Sequence, residues 1–242
     1  MDYRRLTKRG TLAMLCVAWL LAAETAVNAA DTAASALKPA PSTRSEWAGK
    51  HQRNVERAKR GSVDLLFMGD SITEFWSTKG QDVWTETYEP LKAANFGIAA
   101  DKVENVLWRL TNGELDGISP KVVVLMIGIN NTWGGGNAGV IADGIGEVVR
   151  TLRTKLPSAR VLLLGLLPLK DGTSPTVKSI NERIAKLDDG KNVRFLNMGS
   201  VFAGPDGRAR EELMADSVHL SAKGYESWAE TMKPLLDAMM GK

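Results

Sequence analysis

Residues 63–76 read Val63-Asp64-Leu65-Leu66-Phe67-Met68-Gly69-Asp70-Ser71-Ile72-Thr73-Glu74-Phe75-Trp76. The apolar run ends in Gly69-Asp70-Ser71, and a segment of mixed, helix-like composition follows it. This order is typical of a buried strand that delivers a serine to the carboxyl edge of an α/β sheet, where such sheets keep their sites. An alternative interpretation needs no chemistry, because Ser71 and Glu74 have the spacing of a helix capping box.

Further apolar runs alternate with helical patterns along the rest of the chain. The predicted strands are residues 63–68, 94–96, 121–127, 160–166 and 193–197, and the predicted helices are residues 103–111, 138–155, 176–187 and 222–240. The run 122–127 is apolar at every position, which favours a parallel sheet with helices on both faces. We therefore predict a three-layer α/β domain of about five strands over residues 45–242.

Two segments precede this sheet. Residues 45–59 predict a polar helix with Trp47 and Val55 as its inward anchors, and His51 on it is interpreted as a solvated side chain. Residues 31–44 are rich in Ala, Pro, Ser and Thr and predict a flexible linker.

The first thirty residues have the order of a secretory signal peptide: basic residues, an apolar run over 12–23, then small residues. Cleavage is expected after Ala29 or nearby, or after Ala36. The apolar run is shorter than the roughly 20 residues that span a bilayer. We therefore predict a periplasmic or secreted protein with no stable membrane span after processing.

Cysteine and charge exclude several classes of function. The only cysteine, Cys16, lies in the predicted signal peptide, so the mature chain has no disulfide and no cysteine ligand or nucleophile. Four basic and two acidic side chains lie in residues 1–30, so the net charge of +3 falls to +1 in the remainder. No basic stripe suggests a nucleic-acid partner.

His219 is the histidine best placed for chemistry. The other of the two histidines in the chain is His51. Asp216 precedes His219 by three residues on a connecting loop, where its carboxylate can accept the Nδ1–H and leave Nε2 free to take a proton. A loop whose polar residues only satisfy backbone groups explains the segment equally well. Two histidines also make a zinc site unfavourable.

Two further segments follow predicted strands at the edge that carries Ser71. In Gly128-Ile129-Asn130-Asn131, the Asn130 amide could donate to an oxyanion, although Asn and Gly also dominate ordinary turns. In Asn95-Phe96-Gly97-Ile98-Ala99-Ala100-Asp101, outward N–H groups could bind negative charge. Asp101 is equally well explained as the cap of the next helix.

Together, Gly69-Asp70-Ser71, Asn95–Asp101, Gly128-x-Asn130 and Asp216-x-x-His219 resemble the SGNH, or GDSL-type, serine hydrolase family in order and spacing. Within it, the chain resembles the subgroup of platelet-activating factor acetylhydrolase catalytic subunits. The stretches that carry this are Asn95-Phe96-Gly97-Ile98, Val106-Leu107-Trp108-Arg109-Leu110, Asn112-Gly113-Glu114-Leu115, Asn130-Asn131 and Leu164-Gly165-Leu166-Leu167-Pro168. The resemblance implies a flavodoxin-like fold with strand order 2-1-3-4-5, ester hydrolysis, no metal or organic cofactor, and a homodimer.

The resemblance also assigns roles to residues. Ser71 would be the nucleophile, His219 the general base and acid, and Asp216 its orienting carboxylate. The Ser71 N–H, the Asn130 amide and one N–H of the second turn would form the oxyanion hole. Ala100 stands where the family usually has glycine, so a positive φ there would be strained. Gly97 is expected to support this turn by its flexibility.

These observations predict an exported serine esterase that hydrolyses short-chain, above all acetyl, esters of a sugar, polysaccharide or lipid. Ile72, Ile129 and Val218 flank the key loops and are expected to wall a small acyl pocket, unless they are core residues. Two alternatives stay open. One is a carbohydrate deacetylase, lysophospholipase or thioesterase of the same family, and the other is a non-catalytic glycan-binding module on the same scaffold.

Overall fold

The computed structural model describes residues 38–133, 135–172 and 174–242. The predicted signal peptide and the linker residues 31–37 lie outside the described residues. Ordered contacts begin before Ser45, where the domain was predicted to start: the Ala40 N–H donates to the Glu104 carbonyl at 3.1 Å, and the Asn105 amide donates to the Ala40 carbonyl at 3.0 Å. The end of the predicted linker is therefore attached to the domain.

The described chain contains one five-stranded parallel sheet. Its strands are β1 (Leu65–Gly69), β2 (Ala93–Gly97), β3 (Val122–Met126), β4 (Arg160–Leu164) and β5 (Val193–Leu196), in the order β2-β1-β3-β4-β5. Every residue of β1 and β3 is buried, as expected for strands covered on both faces. The predicted fold class and strand order are confirmed.

Helices cover both faces of this sheet. They are α1 (Trp47–Lys59), α2 (Ser71–Glu74), α3 (Gln81–Val83), α4 (Val103–Thr111), α5 (Ile129–Thr132), α6 (Ala138–Lys155), α7 (Pro175–Ile184), α8 (Gly199–Phe202) and α9 (Ala222–Met240). The long helices match their predicted positions. Short 3₁₀ helices, α3 and a π-helix (Trp84–Tyr88) fill most of residues 75–91, for which no element was predicted. Their aromatic side chains pack on Phe67 and one another, and this tertiary packing leaves no simple periodicity in the sequence. Among the described residues, no helix is both long and apolar enough to cross a membrane.

The register of the sheet aligns the ends of the three adjacent strands β2, β1 and β3. Gly69, the last residue of β1, pairs with Gly97 of β2 and with Met126 of β3. Because the strands are parallel, the loops that follow them leave the sheet side by side. This alignment brings the segments that begin at Asp70, Ile98 and Ile127 to one edge.

Gly97 supports this edge by its small size. A Cβ at Gly97 would lie 2.2 Å from the Glu74 backbone nitrogen, so β2 and α2 approach too closely for any side chain. Gly97 is not among the glycines with positive φ. Close packing against α2 therefore explains the glycine at this position, and the predicted flexibility stays a prediction.

Asp70 joins β1 to α2 and is buried. One carboxylate oxygen accepts the Ile72 N–H at 3.0 Å and caps α2, while the other has no partner among the described residues. Burial raises the pKa of Asp70 to about 7, the hydrogen bond from Ile72 opposes the rise, and the neighbouring Asp101 adds to it.

This raised pKa predicts a pH dependence of stability. The folded state holds the Asp70 proton more tightly than the unfolded chain does. The contribution of Asp70 to the free energy of unfolding therefore weakens as pH rises from about 4 to 7, and it is constant above pH 7. The change corresponds to roughly 4 kcal/mol at about 1.4 kcal/mol per pKa unit. We expect Asp70→Asn to lose this dependence, so that its free energy of unfolding relative to wild type increases between pH 4 and 8. Urea denaturation across this range measures the effect.

Asp82→Asn, in the exposed first turn of α3, is the matched control and should follow the wild-type curve. If the free energy of unfolding changed in parallel with pH for Asp70→Asn and wild type, the pKa of Asp70 in the folded protein would not be raised.

Candidate active site

Three polar side chains form a continuous hydrogen-bonded chain at the carboxyl edge of the sheet. The Ser71 Oγ lies 2.9 Å from His219 Nε2, and His219 Nδ1 lies 2.7 Å from an Asp216 carboxylate oxygen. Ser71 is the first residue of α2, and the loop before α9 carries the other two. The structure thus brings together all three residues that the motifs singled out.

The Asp216 carboxylate is fixed by its own loop. Its second oxygen accepts the backbone N–H groups of Val218 and His219 at 2.9 and 2.8 Å. Partial burial works against ionisation, but the hydrogen bonds from His219 and Val218 outweigh it and lower the pKa of Asp216 below its ordinary value. Asp216 is therefore a carboxylate at neutral pH, able to hold the His219 ring with Nδ1 protonated.

Phe75, in the turn that directly follows α2, contacts the His219 ring. The two ring centroids are 4.9 Å apart with their planes inclined by 45°. Sequence reasoning missed this residue, although its position four residues after Ser71 places it one helical turn from the serine. The aromatic contact and the Asp216 hydrogen bond together restrict the orientation of His219.

Asp70, and not Ser71, caps α2. Asp70 accepts the Ile72 N–H, and the Glu74 carboxylate accepts the Ala99 N–H at 2.5 Å and pairs with Lys50 at 2.6 Å. The capping-box interpretation of Ser71 and Glu74 is therefore wrong. The Ser71 hydroxyl is left to interact with His219.

The predicted oxyanion donors lie in the segments that follow β1, β2 and β3 at the same edge of the sheet. Among the described residues, neither the Ser71 nor the Ala100 backbone N–H has a hydrogen-bond partner. The Asn130 amide nitrogen donates to the Asp101 carbonyl at 2.9 Å, which holds its side chain against the turn that contains Ala100. An amide nitrogen carries two N–H groups, so a second donor remains.

Ala100 adopts the left-handed backbone conformation with φ +63°. A residue with a Cβ pays roughly 1–2 kcal/mol for this conformation. The turn therefore keeps a conformation typical of glycine although alanine occupies it. The Ile98 carbonyl accepts the Asp101 N–H at 3.1 Å and closes the turn.

The side chain of Asp101 anchors the turn that contains Ala100 to the protein interior. It is fully buried, accepts the Trp47 indole N–H at 2.6 Å, and pairs with the Arg109 guanidinium at 2.9 Å. Burial raises its pKa to about 6, while Arg109 and Trp47 oppose the rise. The predicted role of Asp101 as a helix cap is wrong, because α4 begins after Lys102.

His51 belongs to the same buried cluster. Its Nδ1 lies 2.9 Å from Glu114, and its ring packs against Trp47 and Trp108 with centroids 5.5 and 5.0 Å away. The interpretation of His51 as a solvated side chain is therefore wrong. Glu114 lies 63 residues along the chain from His51, and no local pattern reveals the contact.

Asn131 joins the loops that follow β2 and β3. Its side-chain oxygen accepts the Val103 N–H at 2.9 Å, and its amide nitrogen donates to Glu104 at 2.9 Å. Both partners lie in the first turn of α4. Asn131 thereby fixes Asn130, its neighbour, relative to Ala100.

The three residues predicted to wall an acyl pocket differ in position. Ile72 and Ile129 are each only 3% exposed and pack in the hydrophobic core, as the alternative interpretation had it. Val218 is partly buried and packs against the core beside His219. In the described part of the chain, no group of three His, Cys, Asp or Glu side chains is arranged to hold a metal ion.

Comparison with known proteins identifies the family. The model of the GDSL-like Lipase/Acylhydrolase family matches residues 67–226. The chain is 37% identical over 199 residues to platelet-activating factor acetylhydrolase IB subunit alpha2 of Gallus gallus, covering 80% of this chain and 83% of that protein. The Homo sapiens alpha2 subunit is 36% identical over 198 residues, with the same coverage of both chains.

Solved structures agree on the fold. A GDSL-like lipase from Bacteroides thetaiotaomicron aligns with a TM-score of 0.63 at 19% identity, covering 79% of this chain and 97% of that one. The family model and the two acetylhydrolase relatives carry the assignment, since so low an identity shows the fold alone. The chain therefore belongs to the GDSL-like lipase/acylhydrolase family, as its four motifs predicted, and is a carboxylic ester hydrolase.

Proposed function

We propose that the protein is an exported serine esterase that hydrolyses short-chain, above all acetyl, esters through an acyl-enzyme on Ser71. The observation that carries this proposal is the 2.9 Å approach of the Ser71 Oγ to His219 Nε2, in line with the His219–Asp216 hydrogen bond. This is the arrangement in which a serine hydroxyl is activated by an adjacent general base.

In the first step, His219 Nε2 accepts the Ser71 proton as the Oγ attacks the ester carbonyl. The carbonyl oxygen becomes an oxyanion that the N–H groups of Ser71 and Ala100 and the Asn130 amide stabilise. Collapse breaks the bond to the alcohol, which leaves with the proton from His219. The acyl group remains on Ser71.

In the second step, a water molecule gives a proton to His219 and attacks the acyl carbonyl through the same oxyanion. The acid leaves, and Ser71 recovers its proton. Asp216 remains ionised throughout and stabilises the imidazolium that forms in both steps.

The names of the relatives support a short acyl group, because the proteins at 36–37% identity are named acetylhydrolases. The non-catalytic alternative rested on Ala100, and Ala100 takes the left-handed conformation that a glycine would take in this turn.

The export part of the proposal rests on the basic, apolar and small-residue order of residues 1–30. Full-length protein expressed in a Gram-negative host should be recovered from the periplasm or medium with a new N-terminus after Ala29 or nearby, or after Ala36. N-terminal sequencing of that fraction checks this, and an intact Met1 on cytoplasmic protein would refute export.

The esterase mechanism is tested with Ser71→Ala and Asn130→Ala. Ser71→Ala removes the nucleophile, so hydrolysis of p-nitrophenyl acetate should fall to background. Asn130→Ala removes one oxyanion donor and should lower kcat by about 10²–10³ without abolishing it. Steady-state kinetics and labelling by a fluorophosphonate probe measure both effects.

Ser77→Ala, a serine on the same segment whose hydroxyl bonds only the Glu74 carbonyl in the described structure, is the matched control and should retain activity. Unchanged turnover in Ser71→Ala would overturn the mechanism. Equal kcat/KM for p-nitrophenyl acetate and octanoate would overturn the short-acyl preference alone.

Ala100→Gly tests the strained turn. Glycine relieves the left-handed strain but gives the unfolded chain more freedom, so we expect the free energy of unfolding to stay equal or rise by up to about 1 kcal/mol. The esterase kcat/KM should remain within about threefold of wild type. Urea denaturation and p-nitrophenyl acetate kinetics measure the two quantities.

Ala99→Gly is the control, since Ala99 is not among the residues with positive φ. It gains no relief of strain and should lose about 0.5–1 kcal/mol. Equal losses in both variants would mean that Ala100 carries no strain.

A further inference from the structure

A cleft of about 490 Å³ opens beside the proposed oxyanion hole. Ala100 and Asn130 line it together with Trp133, the N-terminal segment 40–44 and the start of α4. An ester whose carbonyl oxygen rests on Ala100 and Asn130 therefore has this space directly next to it. The cleft is far larger than an acetyl group requires.

The walls of the cleft are fixed to the domain. Ala40 is hydrogen-bonded on both sides, to Glu104 and Asn105, and Asn105 is itself only 7% exposed. On the other side, the Asn131 amide donates to the Glu104 carboxylate. The segment 40–44 and α5 are therefore both held against the same end of α4, so the cleft is formed before a ligand arrives.

Trp133 is the distinctive side chain of this cleft. It is 53% exposed and is the only large apolar side chain classed as exposed among the described residues. It follows the Asn130 donor by three residues, at the end of α5. An exposed indole next to a reaction centre offers a flat apolar face together with an N–H donor, a combination suited to binding amphipathic ligands.

Apart from Ala40 and Pro41, the remaining lining is polar. Ser42, Thr43 and Arg44 contribute from the N-terminal segment, and Lys102 and Glu104 contribute from the start of α4. A lipid chain would cover these partly or fully exposed polar side chains and remove water from them, which disfavours an acyl tail or a long alkyl alcohol. A sugar ring satisfies both kinds of lining, because it has an apolar C–H face and a rim of hydroxyl groups.

We propose that this cleft is the subsite for the alcohol part of the substrate and that it takes a pyranose ring stacked on Trp133. The proposal rests on the proposed esterase function and adds the class of alcohol: an acetylated sugar or polysaccharide. The acetyl group lies at Ser71, and the sugar hydroxyls meet the polar groups of the segment 40–44 and α4.

The test compares two acetyl esters that differ in the ring. Methyl 6-O-acetyl-glucopyranoside has a pyranose ring with free hydroxyl groups, whereas glycerol monoacetate has a hydroxylated but acyclic alcohol. Trp133→Ala should lower the ratio of kcat/KM for the glucoside to that for glycerol monoacetate by about tenfold, the size expected for loss of one aromatic stacking contact. Trp133→Phe keeps an aromatic ring and should recover most of this ratio.

Binding supplies a readout that does not depend on turnover. The Ser71→Ala variant, titrated with the acetylated glucoside by calorimetry, should bind it about tenfold more tightly than the Ser71→Ala/Trp133→Ala double variant does. Because Trp133 is half exposed, its removal should leave the fold intact, which circular dichroism verifies.

The outcomes separate the two proposals. Equal losses on both esters, or no loss on either, would overturn the sugar subsite while leaving the esterase in place. Binding of the glucoside that depends on Trp133, in a wild-type protein that hydrolyses no ester, would uphold the subsite and overturn the esterase function. An unchanged Kd in the double variant would overturn the subsite whatever the kinetics show.

Discussion

The site depends on one buried guanidinium. Arg109 donates to the Phe96 carbonyl at 2.7 Å and the Gly69 carbonyl at 3.2 Å, at the ends of two adjacent strands, and pairs with Asp101 at 2.9 Å. It also pairs with Glu114 at 3.0 Å. One fully buried cation thus fixes the strand that leads to Ser71 relative to the turn that holds Ala100. Removal of such a partner leaves buried carboxylates uncompensated, which typically costs 3–5 kcal/mol.

The cluster is completed by a helix that lies outside the region matched by the family model. Residues of α1 contribute the Trp47 indole N–H to Asp101, and His51 and Asn54 to Glu114. Without α1, both carboxylates would lose a hydrogen-bond partner, and Asp101 would lose the aromatic cover that keeps it from solvent. The N-terminal helix is therefore structurally part of the site, although no reacting group lies on it.

Sequence reasoning recovered what is set by local pattern and strand order. Uniformly apolar runs indicated a parallel sheet, and parallel strands place their loops at one edge, which is why Ser71, Asn130 and His219 could be grouped. Sequence reasoning did not predict contacts between residues that lie far apart in the chain. Asp101 and His51 were assigned local roles because their partners lie 54 and 63 residues away, and Phe75 was unassigned because only the folded chain brings it to His219.

Two unfavourable features lie at the strand ends that carry the proposed nucleophile and the Ala100 turn. Asp70 is buried with one oxygen that has no partner among the described residues, and Ala100 is held at a positive φ. The same strand ends are tightly packed, because neither Gly69 nor Gly97 has room for a Cβ against α2. The backbone N–H groups of Ser71 and Ala100, which follow these strand ends, have no hydrogen-bond partners among the described residues. Unpaired N–H donors cost free energy in the resting protein and stabilise only when an oxyanion forms. The unpaired donors and the positive φ of Ala100 are therefore what a preorganised oxyanion hole costs the resting structure.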